Sequence, residues 1–167
     1  MGDPGINFVP WRELKDDFAR LNAIAVQHPG GPEDRLLRVA LNQMARIKNG
    51  APGTHPLEWM ASYPDLSDCQ TTYVGADPNH KPSHRLIWRE LPATTPGGSV
   101  TREVIALGER AGGKAYYLAG QRLGRPIGLS REELDVQREP IARTANPTPR
   151  TCVVEAADRD NDVEMGL

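Results

Sequence analysis

The chain has 167 residues, which is enough for one sizeable hydrophobic core and predicts a single domain. Its hydrophobic fraction of 38% and mean hydropathy of -0.53 lie below the globular norm, so part of the chain is expected not to pack. Two cysteines are too few for a disulfide framework, and no apolar stretch is long enough to cross a bilayer. The composition therefore predicts a soluble, reduced, cytoplasmic protein, although a domain exported without a cleavable signal would have the same composition.

Charge is distributed unevenly along the chain, although the totals of 20 basic and 22 acidic residues nearly balance. Residues 78–124 include seven basic and three acidic side chains, whereas residues 125–167 include six basic and nine acidic ones. This pattern predicts a basic core within a domain at residues 1–124, followed by an acidic, largely irregular tail at residues 125–167. Because opposite charges attract, one hypothesis is that the tail folds back onto the basic core and inhibits it.

The N-terminal third predicts an edge strand followed by a helical hairpin. Ile6 to Val9 form a short apolar run, and Pro10 suits the first position of a helix because its missing N–H has no partner there. Apolar residues then recur at three- and four-residue steps as far as His28. A second helix is predicted from Pro32 to the stop at Asn49-Gly50, with a buried side formed by Leu36, Leu37, Ala40, Leu41, Met44 and Ile47.

The central third predicts three strands in a meander and a closing helix. After a proline-rich loop with a short helical turn at residues 57–61, the strands are expected at residues 69–75, 84–91 and 102–108. Gly112-Gly113 then turn the chain into a helix from Lys114 to Leu123. In the tail, Ser130 and Glu133 have the spacing of a capping box, which predicts a brief helix at residues 131–138.

Four short motifs follow one another between Leu66 and Leu123. Leu66-Ser67-Asp68-Cys69 precedes the first of these strands, and His84-Arg85-Leu86-Ile87-Trp88 marks the second. The third strand ends in Gly108-Glu109-Arg110, and Tyr116 follows six residues after that arginine. In the order and spacing of its motifs, this segment resembles the RelE/ParE superfamily of bacterial toxins.

The resemblance implies an α+β fold, in which an N-terminal helical hairpin packs on a small antiparallel meander sheet with a C-terminal helix. It also implies a toxin that inhibits translation by cutting mRNA, free or on the ribosome, with no metal or other cofactor. Arg85, Arg110 and Tyr116 match family positions that contribute to cleavage. The two arginines would bind the phosphate, because a guanidinium stays charged and matches two phosphate oxygens, while Tyr116 would stack on a base or accept a proton. A cognate antitoxin would cover the basic groove.

Six further residues are candidates for contact with nucleic acid, namely Lys81, His84, Arg89, Arg102, Lys114 and Arg122. They are basic or titratable, and each could equally be a solvated surface residue. His80, Lys81 and His84 could also supply a general acid or base, because histidine titrates near neutral pH. A metal site at His80 and His84 is disfavoured, because Pro82 between them blocks the helical geometry and no third ligand is evident.

Two departures from the family pattern leave other functions open. Nuclease members often carry lysines on the first core strand, whereas this chain has Gln70-Thr71-Thr72-Tyr73 there. Glu109 stands where the family often has lysine or histidine. The first alternative is therefore a ParE-like toxin that binds DNA gyrase without hydrolysing anything. The second is a catalytically inactive interaction module of the same fold.

Overall fold

The computed structural model describes the backbone of residues 5–144 and the side chains of residues 5–138. Within that range the chain forms the strands β1 (Ile6–Pro10), β2 (His55–Pro56), β3 (Cys69–Val74), β4 (His84–Leu91) and β5 (Val100–Glu109). The α-helices are α1 (Leu14–Ala25), α2 (Pro32–Lys48), α3 (Lys114–Arg122) and α4 (Arg131–Thr144). None of the helices in the described part of the chain is both long enough and apolar enough to cross a membrane.

The strands form one mixed sheet in the order β1-β5-β4-β3-β2, and the fold is α+β. β1 pairs in parallel with β5, whereas the other neighbours are antiparallel. The expected fold, a helical hairpin packed on a wholly antiparallel sheet, is therefore wrong in part, because the predicted N-terminal strand belongs to the sheet and runs parallel to β5. This pairing joins Ile6 to Val100, and so no local sequence pattern could predict it.

Helices cover both faces of the sheet. On one face, α1 and α2 pack against Leu86, Trp88 and Val104. On the other face, α3 and the loop before β3 pack against Ile87 and Ile105. Successive residues of β4 therefore enter different cores, as the pleat of a strand covered on both sides requires.

An ion pair covers the edge of β5 beyond the end of β1. The carboxylate of Asp17, in α1, accepts a hydrogen bond from the backbone N–H of Leu107 at 3.0 Å. The guanidinium of Arg122, in α3, donates to the carbonyl of Ile105 at 2.8 Å. The two side chains bond to one another at 2.7 and 2.8 Å. They thus satisfy backbone groups that β1, which ends at Pro10, does not reach.

Three local expectations in the first half of the chain are wrong. Pro10 ends β1 instead of opening a helix, and α1 begins at Leu14. Leu41, expected on the buried side of α2, has 53% of its surface exposed. The loop at residues 57–61 contains no helical turn, and the short strand β2 precedes it.

The C-terminal helix is longer than expected. The capping box is confirmed, because the N–H of Ser130 donates to Glu133 at 2.7 Å and the N–H of Glu133 donates to the Ser130 hydroxyl at 3.2 Å. The helix α4 continues to Thr144, beyond the predicted end at residue 138. The rest of the predicted acidic tail, residues 145–167, lies outside the described residues.

Candidate functional site

A cavity of about 810 Å³ lies where β4, β5 and the beginning of α3 meet. Arg85 lines it from β4, Arg110 from the residue after β5, and Tyr116 from the first turn of α3. His84 also lines the cavity. The structure therefore brings the three predicted catalytic residues, together with one of the predicted nucleic-acid contacts, to a single concave surface.

Close packing of α3 on β5 places Tyr116 over Arg85. Gly108 lies opposite Arg85 in the sheet, and a Cβ atom at Gly108 would come within 2.8 Å of the Cα of Ala115. Glycine at this position therefore allows the helix to approach the strand. As a result, the Cζ atom of Arg85 lies 4.7 Å from the centroid of the Tyr116 ring, which is cation–π distance.

The turn between β5 and α3 depends on two glycines in the left-handed region. Gly112 has a φ of 64° and Gly113 a φ of 69°, values that side-chain-bearing residues rarely adopt. A Cβ atom at Gly113 would also lie 2.4 Å from the ring of Tyr63, so the glycine admits that ring to the cavity wall. The N-terminal end of α3, which carries partial positive charge, therefore borders the cavity beside the arginines.

The guanidinium of Arg85 has no hydrogen-bond acceptor and no carboxylate partner among the residues that the structure describes. Its Nε atom is buried without a hydrogen-bond partner, and the rings of Tyr73 and Tyr116 lie 5.4 and 4.7 Å from its Cζ atom. Burial, and in smaller measure the positive charge of Arg110, lower the pKa of Arg85. An arginine nevertheless remains protonated, so two neighbouring cations share this cavity without a bonded carboxylate among the described residues.

Three of the predicted nucleic-acid contacts lie outside the cavity, and their guanidiniums bond within the fold. Arg89 pairs with Glu103 at 2.7 Å. Arg102 is 8% exposed, pairs with Glu90 at 2.8 Å and lies over the ring of Trp88. Arg122 forms the ion pair with Asp17 that covers the edge of β5. None of the three arginines lines the cavity.

The other three candidates lie nearer the cavity. Lys114 is exposed and pairs with Glu109 at 2.5 Å, while Lys81 is exposed in the loop before β4. The Nδ1 atom of His84 lies 2.9 Å from the hydroxyl of Ser83. Burial lowers the pKa of His84, and the charge of Glu109 opposes this effect more weakly. The imidazole is therefore neutral at neutral pH and able to accept a proton.

The sequence analysis did not identify the residues that the loop before β3 contributes to the lining of the cavity. Met60 and Tyr63 line the cavity, and the ring of Tyr63 packs edge-on against Tyr116 with centroids 5.6 Å apart. This loop has three prolines and little periodicity, so no pattern marked these residues as candidates. The nearest signal is Gly113, since a glycine pair before a helix indicates a close approach of some other group.

The described part of the chain has no cluster of potential metal ligands, and its cysteine is buried. No group of three or more histidine, cysteine, aspartate or glutamate side chains converges there as metal ligands. Cys69 is buried, and burial raises the pKa of its thiol to about 12, with a further contribution from Asp68. The thiol is therefore protonated at neutral pH and is a poor nucleophile.

Comparison with known proteins finds no matching family model, no matching curated protein and no matching solved structure.

Proposed function

We propose that this protein binds an RNA phosphodiester in the cavity between β4, β5 and α3 and cleaves it, as a toxin domain of the RelE/ParE kind. The observation that carries the proposal is the pair Arg85 and Arg110, two cations that line one cavity and have no bonded carboxylate among the described residues. A partly buried charge without a counterion is less well solvated than an exposed one, so such a pair favours an anionic ligand. The order and spacing of the motifs between Leu66 and Leu123 support the family assignment.

The cleavage would use the RNA's own 2′-hydroxyl as the nucleophile. We assign the proton of the 2′-hydroxyl to His84, which lines both this cavity and a neighbouring one beside α1, while the oxygen attacks the adjacent phosphorus and the bond to the 5′-oxygen breaks. Arg85 and Arg110 neutralise the charge that grows on the phosphate oxygens. A water molecule protonates the departing 5′-oxygen, since the cavity is open to solvent. The products are a 2′,3′-cyclic phosphate and a 5′-hydroxyl end.

The substrate and partners that follow are mRNA, free or on the ribosome, and a cognate antitoxin. An antitoxin that inhibits this chemistry has to reach the cavity, and an acidic segment placed on Arg85 and Arg110 would neutralise both charges. Tyr116 would stack on a base next to the cleaved bond, because the ring borders the cavity.

Incubation of the purified protein with RNA, alone and with translating ribosomes, tests the proposal. Arg110→Ala should slow cleavage roughly 100- to 1,000-fold, as expected for the loss of one group that stabilises the transition state. Arg46→Ala is the matched control, because Arg46 is an exposed arginine on α2 that does not line the cavity. Intact RNA under both conditions, with Arg110→Ala as inhibitory to growth as the parent, would remove the nuclease function.

A second function, a ParE-like toxin that binds DNA gyrase without hydrolysis, is favoured by the residues of β3. Thr71 and Thr72 are buried, and the hydroxyl of Tyr73 bonds to His55 at 2.8 Å, so this strand offers the cavity no lysine for proton transfer. Pull-down of gyrase together with DNA-damage signalling on expression would support this function. Harmless expression at a high level without an antitoxin would instead indicate an inactive interaction module.

A further inference from the structure

A second cavity of about 430 Å³ adjoins the first one, and we refer to it as the loop cavity. Met60, Tyr63 and Tyr116 line both cavities, so a ligand can extend from one into the other. Apolar side chains of the loop before β3, including Leu57 and Leu66, form other walls. Its volume lies within the range of about 300–1,000 Å³ that is common for small-molecule sites.

The aromatic walls of the loop cavity are held in fixed positions. The ring of Tyr63 packs against Tyr116 at 5.6 Å and against Tyr117 at 5.3 Å, with Gly113 beneath it. The ring nitrogens of His55 lie 2.9 Å from the carbonyl of Pro56 and 2.8 Å from the hydroxyl of Tyr73. Flat rings that are already ordered lose little entropy when another flat ring packs beside them.

Charge distinguishes the two cavities and gives the combined site a direction. Arg85 and Arg110 line the first cavity, and Glu109, which also lines it, is paired with Lys114. In the loop cavity, Glu58 contributes a carboxylate that has no ion-pair partner among the described residues. A phosphate would be repelled by Glu58 and attracted by the arginines. The N–H groups at the edge of a nucleobase, by contrast, can donate to a carboxylate. The arrangement therefore suits a ligand with an anionic end and a flat heteroaromatic end.

We infer that the loop cavity binds the base of a nucleotide whose phosphate lies on Arg85 and Arg110. This inference rests on the proposed function, since it assigns the place of a base next to the cleaved phosphodiester. The base packs against Tyr63 and Tyr116, and its edge donates to Glu58. Stacking on aromatic side chains tolerates different sequences, because every base has a π-face.

Calorimetric titration with two kinds of ligand tests the inference. Ribose 5-phosphate measures the phosphate site alone, while nucleoside 3′- and 5′-monophosphates add the base. We expect at least one nucleoside monophosphate to bind roughly 5- to 100-fold more tightly than the sugar phosphate, which is the range for stacking of one base. Arg110→Ala should weaken binding of both kinds of ligand.

A substitution that fills the loop cavity separates the two sites. Glu58 is exposed and lines the loop cavity, so Glu58→Trp places a large side chain there. The variant should bind nucleotides no more tightly than ribose 5-phosphate, while its affinity for ribose 5-phosphate stays unchanged. Ala61→Trp is the matched control, because Ala61 is exposed in the same loop but does not line the cavity.

Each outcome of the titrations decides between the two claims. If ribose 5-phosphate binds in an Arg110-dependent manner but no nucleotide binds more tightly, the base site is wrong and the phosphate site stands. If nucleotides keep their advantage in Glu58→Trp, the base lies elsewhere and the inference is also wrong. If neither kind of ligand binds, the proposed function fails and the base site fails with it.

Discussion

The different environments of Arg85 and Arg102 show how strand register decides the role of an arginine on this sheet. Arg102 lies opposite Glu90 and pairs with it at 2.8 Å, whereas Arg85 lies between Gly108 and Tyr73 on the neighbouring strands. Aromatic faces attract a cation without neutralising it. Arg85 is therefore held in place while its charge stays available to an anionic ligand.

His84 should determine how cleavage depends on pH in the acidic range. Because burial lowers the pKa of His84, its neutral form persists to more acidic pH than that of a free imidazole. The rate should therefore rise as the pH increases through this lowered pKa and then level off. Rates on a short RNA between about pH 4.5 and pH 8 measure the profile, and His84→Asn should remove the rising limb.

His80→Asn is the matched control for His84. His80 bonds to Asp77 at 2.6 Å on an exposed loop and does not line the cavity, so its loss should leave the pH profile unchanged. A rising limb that survives in His84→Asn would mean that another group accepts the proton. Circular dichroism at the lowest pH would separate loss of catalysis from loss of fold.

At the scale of elements, the pair Asp17–Arg122 should matter for stability and not for RNA affinity. Arg122→Ala removes the donor to the carbonyl of Ile105 and one partner of Asp17, which keeps Arg20 at 2.6 Å and the N–H of Leu107 at 3.0 Å. The variant should therefore lower the free energy of unfolding by about 1–3 kcal/mol. The double variant Asp17→Leu with Arg122→Met removes both charges but leaves the N–H of Leu107 and the carbonyl of Ile105 without their partners, so it should also be less stable than the parent. Denaturant titration measures these differences.

Lys81→Ala provides the comparison for Arg122→Ala. Lys81 is exposed, so its removal should leave the free energy of unfolding within about 0.5 kcal/mol of the parent. If Arg122→Ala were equally harmless to stability yet weakened RNA binding, Arg122 would be a surface contact and the ion pair would have no structural role.

The elements that sequence reasoning predicted well are those whose pattern is local. The strands β3 and β4 begin at the predicted residues Cys69 and His84, because alternation and β-branched composition report a strand directly. Pairings between distant residues left no such signal. The carboxylate partner of Arg122 is Asp17, which lies 105 positions away along the chain, and so no local pattern indicated this ion pair.

Of the residues in the candidate site, the sequence predicted only those that belong to the family motifs. The spacing of Arg85, Arg110 and Tyr116 predicted the residues that share the first cavity. Tyr63 and Glu58 belong to a loop without periodicity, and their positions depend on packing against α3 and β3. A contact set by tertiary packing has no counterpart in local propensity.

At the scale of the whole molecule, polar contacts attach the beginning of α4 and the segment before it to the domain. Arg125 donates to the carboxylate of Asp68 at 2.5 and 2.8 Å, and the N–H of Arg131 donates to Asp65 at 2.8 Å. Burial would raise the pKa of Asp68, but the bonds and charge of Arg125 outweigh this and lower it to about 2. Cutting the chain after Gly124 would break these contacts, so a test of the acidic tail should leave α4 in place.

Truncation after Thr144 should therefore reveal whether the acidic residues that follow compete with RNA. The full chain has 20 basic and 22 acidic residues, and removal of residues 145–167 leaves 18 basic and 17 acidic ones. If those carboxylates compete for the basic cavity, the truncated protein should bind RNA several-fold more tightly at low salt, and the difference should shrink as salt screens the charges. Full-length protein with Glu155, Asp158, Asp160, Asp162 and Glu164 changed to the corresponding amides should behave like the truncated form, because only charge is removed. Equal affinity of all three proteins at low salt would contradict inhibition by the tail.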